Sequence, residues 1–137
     1  MKYWLMKSEP DVYAWSKLVA DGTGNWDGVR NHSAKLNLMA MKKGDRAFFY
    51  HSNIGKEIVG VMEIAGEAHP DPTAKEGPWV QVTVKPIAPA NPPLGLADIK
   101  NMPELRDMAL IKFSRLSVQP VTPAEWKLIC KRIGVKG

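Results

Sequence analysis

With 137 residues, the chain has the length of one domain that can bury a core without disulfide or metal crosslinks. Its 19 Lys and Arg outnumber its 14 Asp and Glu, and the net charge of +5 favours an anionic partner such as a nucleic acid. Cys130 is the only cysteine, which excludes an intrachain disulfide and a cysteine-based metal cluster and is typical of a reducing compartment.

The first predicted element is a short buried strand from Lys2 to Met6. This apolar stretch is too short for a signal peptide or a membrane span, so we expect a protein that is neither secreted nor embedded in a membrane. The expected location is the cytoplasm, or the nucleus if the organism is a eukaryote.

Ser8 follows this strand, and the sequence leaves two roles open for it. The pattern Ser8-x-x-Asp11, with Pro10 inside it, is typical of a helix start and predicts a helix from Val12 to Val19 that Ser8 caps. Alternatively, Lys7 and Ser8 contact a ligand, as residues at strand ends commonly do. Capping is the simpler single role, and a cap whose other side meets a pocket is compatible with both.

A loop from Asp21 to Asn25 precedes the next predicted helix, which runs from Ala34 to Met41 and is capped by Asn31 or Ser33. The apolar residues of this helix are expected to lie in the core. They are Leu36, Leu38, Met39 and Met41.

Arg30 stands just before this helix, where free backbone N–H groups and the helix dipole favour an anion. This position predicts a contact between Arg30 and a phosphate. The alternative is an ion pair between Arg30 and a carboxylate such as that of Asp27.

Three strands are predicted in the middle of the chain, from Arg46 to His51, from Ile58 to Ala68 and from Trp79 to Ile87. A tight turn makes the first two antiparallel neighbours. Gly60 and Gly66 within the second strand predict bulges, which let a short sheet curl into a barrel.

The rest of the chain is predicted to contain loops at prolines 70–72 and 89–93, short helical segments at 94–99 and 103–108, and a strand at 116–121. Thr122-Pro123-Ala124-Glu125 is a capping box that starts a last helix. We therefore predict one α+β domain over residues 1–137, with a curled, mostly antiparallel sheet and short flanking helices.

The span from Trp26 to Ser52 holds groups suited to binding a flat heterocycle, which needs a face to stack on and partners along its edge. Trp26 or Tyr50 is the candidate face. The candidate edge contacts are Asn31, His51, Ser52 and the backbone at Gly28. The alternative is that the aromatic residues are ordinary core and that His51-Ser52 is a solvated turn.

Enzyme motifs are absent from the sequence. It has no Gly-x-x-x-x-Gly-Lys loop, no His-Glu-x-x-His and no Gly-x-Ser-x-Gly, and its three histidines lack metal-ligand spacing. Asp27 and His51 remain candidates for an acid–base pair, so an enzyme acting on a nucleobase or nucleoside is the alternative to a binding module. A ligand-free interaction domain is a third hypothesis.

Five blocks stand out in chain order: WLMKSEP at 4–10, WDGVRN at 26–31, GD at 44–45 with FFYHSN at 48–53, AHPDPT at 68–73 and RLSVQPV at 115–121. Together they resemble the EVE domain, the family of thymocyte nuclear protein, over nearly the whole chain. The resemblance implies a PUA-like curled β-barrel with flanking short α-helices, related to the YTH and ASCH domains.

The resemblance also implies a reader of modified bases in DNA or RNA, in which a flipped-out base enters a pocket, with no cofactor and no established catalysis. Carried over by position, the pocket residues are Lys7 and Ser8; Trp26, Gly28, Val29, Arg30 and Asn31; and Tyr50, His51 and Ser52. Ser117 and Gln119 are expected to close one wall.

Two departures from the family pattern affect these expectations. Family members usually have Tyr-Gln-Ala-Arg-Asn after the Val-Arg-Asn motif, whereas this chain has His-Ser-Ala-Lys-Leu at 32–36, so a different base preference is expected. The loop between Pro72 and Trp79 is also shorter than the family's, which removes a segment that would serve as a lid or backbone contact.

Overall fold

The computed structural model describes all 137 residues. Its strands are β1 (Tyr3–Ser8), β2 (Gly24–Trp26), β3 (Arg46–His51), β4 (Glu57–Pro70), β5 (Val80–Gly95) and β6 (Val118–Val121). Its helices are α1 (Trp15–Asp21), α2 (His32–Ala40), α3 (Leu96–Lys100), α4 (Ala109–Lys112) and α5 (Pro123–Arg132), with a 3-10 turn at Pro103–Leu105. This mixture confirms the α+β class.

The six strands form one sheet in the order β2-β5-β4-β3-β1-β6. Only β1 and β3 are parallel neighbours, and the other four pairs are antiparallel, as expected. The hydrogen-bonded order ends at β2 and β6, so closure into a barrel stays a prediction.

The two predicted bulge glycines lie where the register between β4 and β5 shifts, at Gly60 and Gly66. Gly60 has a second role, because a Cβ on it would lie 2.5 Å from the ring of Trp15. The missing side chain therefore lets α1 approach the sheet closely.

Hydrophobic residues form two clusters, and successive strand residues alternate between them. Leu5 and Phe48 belong to the first cluster, which contains Trp126 of α5. Met6 and Phe49 belong to the second, which contains Trp26. Because neighbouring side chains of a strand point to opposite faces, the two clusters cover the two faces of the sheet.

The prediction that Ser8 caps a helix starting near Val12 is wrong. The helix begins at Trp15, after Ala14, and the Ser8 hydroxyl lies 3.4 Å from the carbonyl of Glu9. Ser8 is still in β1 and pairs in register with His51. Its backbone is therefore extended, and the helix starts several residues later.

The cap of α1 comes instead from a distant part of the chain. The backbone N–H of Trp15 donates to Nε2 of His51 over 3.1 Å. This contact joins the start of α1 to the end of β3.

Two other local predictions are confirmed at the side-chain level. The Asn31 side chain accepts from the backbone N–H of Ala34 over 2.9 Å at the start of α2. Thr122 and Glu125 form both hydrogen bonds of the capping box at the start of α5.

Three predictions about neighbouring segments are wrong. Leu36 and Met39 are exposed, because α2 buries the face that carries Ala34 and Leu38. The predicted loop at residues 21–25 contains the start of β2. The predicted proline loop at 89–93 belongs to β5, although its pairing with β4 is interrupted by a register shift where prolines lack an N–H to donate.

Candidate functional site

A cavity of about 440 Å³ opens beyond the ends of β1, β2 and β3. This is the size of pocket that holds small ligands. The parallel pairing of β1 with β3 brings Ser8 and the residues after His51 to the same edge of the sheet. Eight of the predicted site residues line the cavity: Lys7, Ser8, Trp26, Gly28, Val29, Arg30, Ser52 and Ser117.

Four predicted residues do not line this cavity. Asn31 caps α2, and the ring of Tyr50 lies in the first core cluster, on the face opposite Phe49. His51 accepts from Trp15, as described above. Gln119 is fully buried, and its Nε2 group donates to the carbonyls of Phe113 and Leu116 over 2.9 and 2.8 Å.

Seven lining residues were not among those predicted to contact the base. They are Glu9, Val12, Tyr13, Asn25, Asp27, Ser114 and Arg115. Glu9, Asn25 and Asp27 adjoin a predicted residue in sequence, and Arg115 opens the last of the five sequence blocks. Five of the seven thus lie within or directly beside a sequence block, whereas Val12 and Tyr13 carry no such signal.

Trp26 contributes only a small surface to the cavity. Its side chain is 5% exposed and meets the ring of Phe49 edge to face, with ring centroids 5.1 Å apart. Tyr13 packs on the other side at 6.0 Å. Trp26 is therefore a core residue whose edge reaches the cavity wall.

Arg30 forms an ion pair, but with Asp71 and not with Asp27. Its Nη1 atom donates to Asp71 Oδ2 over 3.0 Å, and the same oxygen accepts from the backbone N–H of Gly28 over 2.9 Å. The Asp71 carboxylate is fully buried. It therefore fixes the loop at Gly28 and Arg30, which lines the cavity.

Asp71 is ionised in this setting. Its second oxygen accepts from the backbone N–H and the hydroxyl of Thr73 over 2.8 and 2.6 Å. Burial opposes the charge, but the hydrogen bonds from Thr73, Gly28 and Arg30 outweigh it and hold the pKa of this carboxyl well below its usual range.

The short loop before β5 folds back onto Arg30. The guanidinium lies 5.8 Å from the ring centroid of Trp79, and the ring of His32 lies 4.8 Å from Trp79 on centroids. This loop thus packs against the rim of the cavity despite its shortness.

Several polar side chains in the cavity form no hydrogen bond or ion pair within the protein. They are those of Asp27, Ser52, Arg115 and Ser117. Lys7 donates to the carbonyl of Ser114 over 2.8 Å, and burial lowers its pKa. The cavity can therefore offer both donors and acceptors to a polar ring.

The structure does not join Asp27 and His51 as an acid–base pair. Only Asp27 lines the cavity, and Nε2 of His51 already accepts from Trp15. Burial lowers the pKa of His51, although Glu57 acts in the opposite direction. No cluster of three or more His, Cys, Asp and Glu residues is placed to hold a metal ion.

The family model of the EVE domain matches residues 2–132. The chain belongs to the EVE domain family. Thymocyte nuclear protein 1 of Mus musculus is 37% identical over 161 residues, which cover 93% of this EVE domain chain and 71% of the mouse protein. None of the helices has the length and apolar character to cross a membrane.

Two solved structures cover nearly the whole EVE domain. A protein of Rhodopseudomonas palustris solved by NMR is 58% identical, with a TM-score of 0.92 and coverage of 98% of this chain and 94% of that one. Human THYN1 in complex with DNA containing 5-methylcytosine is 33% identical, with a TM-score of 0.88 and 100% coverage of both chains.

A more distant structure shares the fold. The YTH domain of a Zygosaccharomyces rouxii protein has a TM-score of 0.61 at 18% identity, over 95% of this chain and 84% of that one. This likeness concerns the fold alone.

Proposed function

We propose that this EVE domain is a nucleic-acid-binding module that reads a modified base, held flipped out in the cavity beyond β1, β2 and β3. The end-to-end match with human THYN1, solved with DNA containing 5-methylcytosine, carries the proposal. The cavity supports it, because its volume and its mixture of apolar and polar walls suit a heterocycle. The net charge of +5 favours the polyanionic partner.

We assign each side chain of the cavity a role in binding the base according to its chemistry. Trp26 and Val29 form an apolar wall. Ser8, Ser52 and Ser117 hydrogen-bond the base edge, and the Asp27 carboxylate accepts from an exocyclic amino group such as that of a cytosine. Asn31, Tyr50, His51 and Gln119 support the walls from behind, and the ion pair of Arg30 with Asp71 fixes the loop.

The chemistry of a reader requires no cofactor, and we propose binding without catalysis. The unpaired acceptor and donor groups suit recognition, whereas an acid–base mechanism needs two groups that converge on one substrate. We also propose that residues 1–137 form one domain whose bulged strand β4 curls the sheet towards a barrel. The name of the mouse relative supports a nuclear location for eukaryotic members.

The test is a binding titration with labelled single-stranded oligonucleotides that differ at one central base. The panel contains cytosine, 5-methylcytosine and other modified bases, in DNA and in RNA. One methyl group in a fitted pocket is worth about tenfold or more in affinity, so one modified base should exceed its parent base by that factor. Equal affinity for every base would overturn the proposal.

A cavity-filling variant ties this preference to the site. Ser52→Trp places a ring in the cavity and should abolish the preference, whereas Ser16→Trp, on the exposed side of α1 and outside the cavity, should retain it. Thermal melting checks that both variants fold. Retained preference in folded Ser52→Trp would remove this cavity from the proposal.

A further inference from the structure

We infer that a second cavity beside the first binds the neighbouring nucleotide of the same strand, with Phe113 stacking on its base and Arg115 holding the phosphate between the two nucleotides. The inference rests on the proposed function and deepens it. It assigns a role to the segment from Lys112 to Leu116, which the base-binding site leaves largely unused.

The two cavities are adjacent and share two lining residues. The second measures about 400 Å³ and lies between the start of α2 and the segment that follows α4. Ser114 and Arg115 line both cavities, so this segment is the wall between them. A strand that leaves the first cavity over this wall enters the second directly.

Phe113 offers the stacking surface. Its side chain is 60% exposed, and it forms none of the aromatic pairs in the protein. An aromatic face in a basic groove is how single strands are bound with little regard to sequence. The exposed ring is thereby explained without a protein partner.

Arg115 is the cation that is free to meet a phosphate. Arg30 is bound to Asp71, and Lys112 pairs with Asp107 over 3.2 Å, whereas Arg115 has no ion pair. The second cavity is lined by Lys112 and Arg115 and by no carboxylate. Its charge therefore complements a phosphodiester.

The wall between the cavities is held in place before any ligand arrives. Gln119 ties the carbonyls of Phe113 and Leu116 together, and Lys7 donates to the carbonyl of Ser114. A preformed wall reduces the entropy lost on binding.

The first experiment compares two probes, 5-methyl-2′-deoxycytidine and a single-stranded trideoxynucleotide with central 5-methylcytosine. Phe113→Ala should leave the affinity for the nucleoside unchanged and lower the affinity for the trinucleotide about tenfold. Phe113→Tyr, which keeps the aromatic face, should bind both probes like the parent. Because the Phe113 side chain is exposed, melting temperatures should stay close to that of the parent.

A second variant tests the phosphate contact. Arg115→Gln should reduce the slope of log affinity against log salt by about 0.7 for the trinucleotide, the value for one lost phosphate contact in a single strand. Arg106→Gln is the matched control, because Arg106 is exposed and lines neither cavity. An unchanged slope in Arg115→Gln would overturn the assigned phosphate contact.

An abasic nucleotide identifies what Phe113 contacts. On trinucleotides whose 5′ or 3′ neighbour lacks its base, the loss caused by Phe113→Ala should disappear for one side only. If Phe113→Ala still weakens binding to both abasic strands, or does not weaken binding to the intact strand, this inference is overturned while the preference for a modified base stands. A parent protein that binds every modified and unmodified base with equal affinity would overturn the proposed function as well.

Discussion

At the scale of single residues, Asp71 determines what Arg30 does. Sequence position placed Arg30 beside a helix start and predicted a phosphate contact, but the folded chain offers a buried carboxylate at 3.0 Å. The same carboxylate accepts hydrogen bonds from the backbone N–H groups of Gly28 and Thr73. One acidic side chain therefore orders the loop that lines the cavity and the short loop that packs against Arg30.

Asp71→Asn should lower the free energy of unfolding at pH 7 by about 1.5 to 3 kcal/mol, the range for hydrogen bonds to a charged group. Because the pKa of Asp71 is depressed on folding, its contribution is present above the ordinary value of 3.8 and is lost as the pH falls below it. Urea unfolding of parent and variant between pH 7 and pH 2 should show curves that converge at low pH.

The control for this prediction is Asp107→Asn, which removes the exposed partner of Lys112 and should cost less than about 1 kcal/mol. A difference between parent and Asp71→Asn that stays constant down to pH 2 would contradict the assigned charge.

Trp26→Ala should destabilise the protein by about 3 to 5 kcal/mol, the usual cost of removing a buried tryptophan. The sequence left open whether this ring is core or a free stacking face, and its burial against Phe49 favours core. Thermal melting measures the loss. A variant that melts like the parent but has lost base affinity would restore the stacking role.

At the scale of elements, the end of β3 determines where α1 begins. His51 is paired with Ser8 in the sheet, and its ring meets the first N–H of α1. A helix that lacks a local cap is thereby capped by a strand. The neutral imidazole is required, because a protonated Nε2 cannot accept a hydrogen bond.

Stability should therefore fall as the pH drops through the region of His51 titration. Burial lowers the pKa of His51, so the folded protein binds a proton less readily than the unfolded chain, and acidification below the ordinary value of 6.5 favours unfolding. Chemical denaturation between pH 7.5 and pH 5 should show this slope in the parent and a flatter one in His51→Gln. His32→Gln, at an exposed position, should keep the parent slope.

At the scale of the whole molecule, only one of the two core clusters borders the cavity. No residue of the first core cluster lines the cavity, whereas the second cluster contributes Trp26 and Val29 to its wall. Trp126 lies in the first cluster, stacked on Phe48 and Tyr3 with ring centroids 4.1 and 4.5 Å apart.

Trp126→Ala should also cost about 3 to 5 kcal/mol of stability, the value expected for Trp26→Ala, but leave the base preference of the folded fraction intact. Denaturant unfolding and oligonucleotide titration on the same preparation at low temperature separate the two effects. Loss of base preference in folded Trp126→Ala would show that the two faces of the sheet are coupled.

Local patterns in the sequence determined those features whose interactions span only a few residues. Asn31 and Ala34, and Thr122 and Glu125, are close enough in sequence for their caps to be predicted, and the bulge glycines carry their own conformational signal. The resemblance to the EVE domain supplied the family and most of the residues that line the cavity. It could not distinguish lining residues from their neighbours, because a strand alternates its side chains between faces.

Only the tertiary structure decided which distant groups meet. Arg30 and Asp71 are 41 positions apart, and Trp15 and His51 are 36 apart, so neither pairing leaves a periodic signal in the sequence. Likewise, only the structure shows that the guanidinium of Arg115 has no ion pair, whereas Arg30 and Lys112 are paired with carboxylates. A sequence states which groups are available, but hydrogen bonds and ion pairs form between groups that packing brings within about 3 Å.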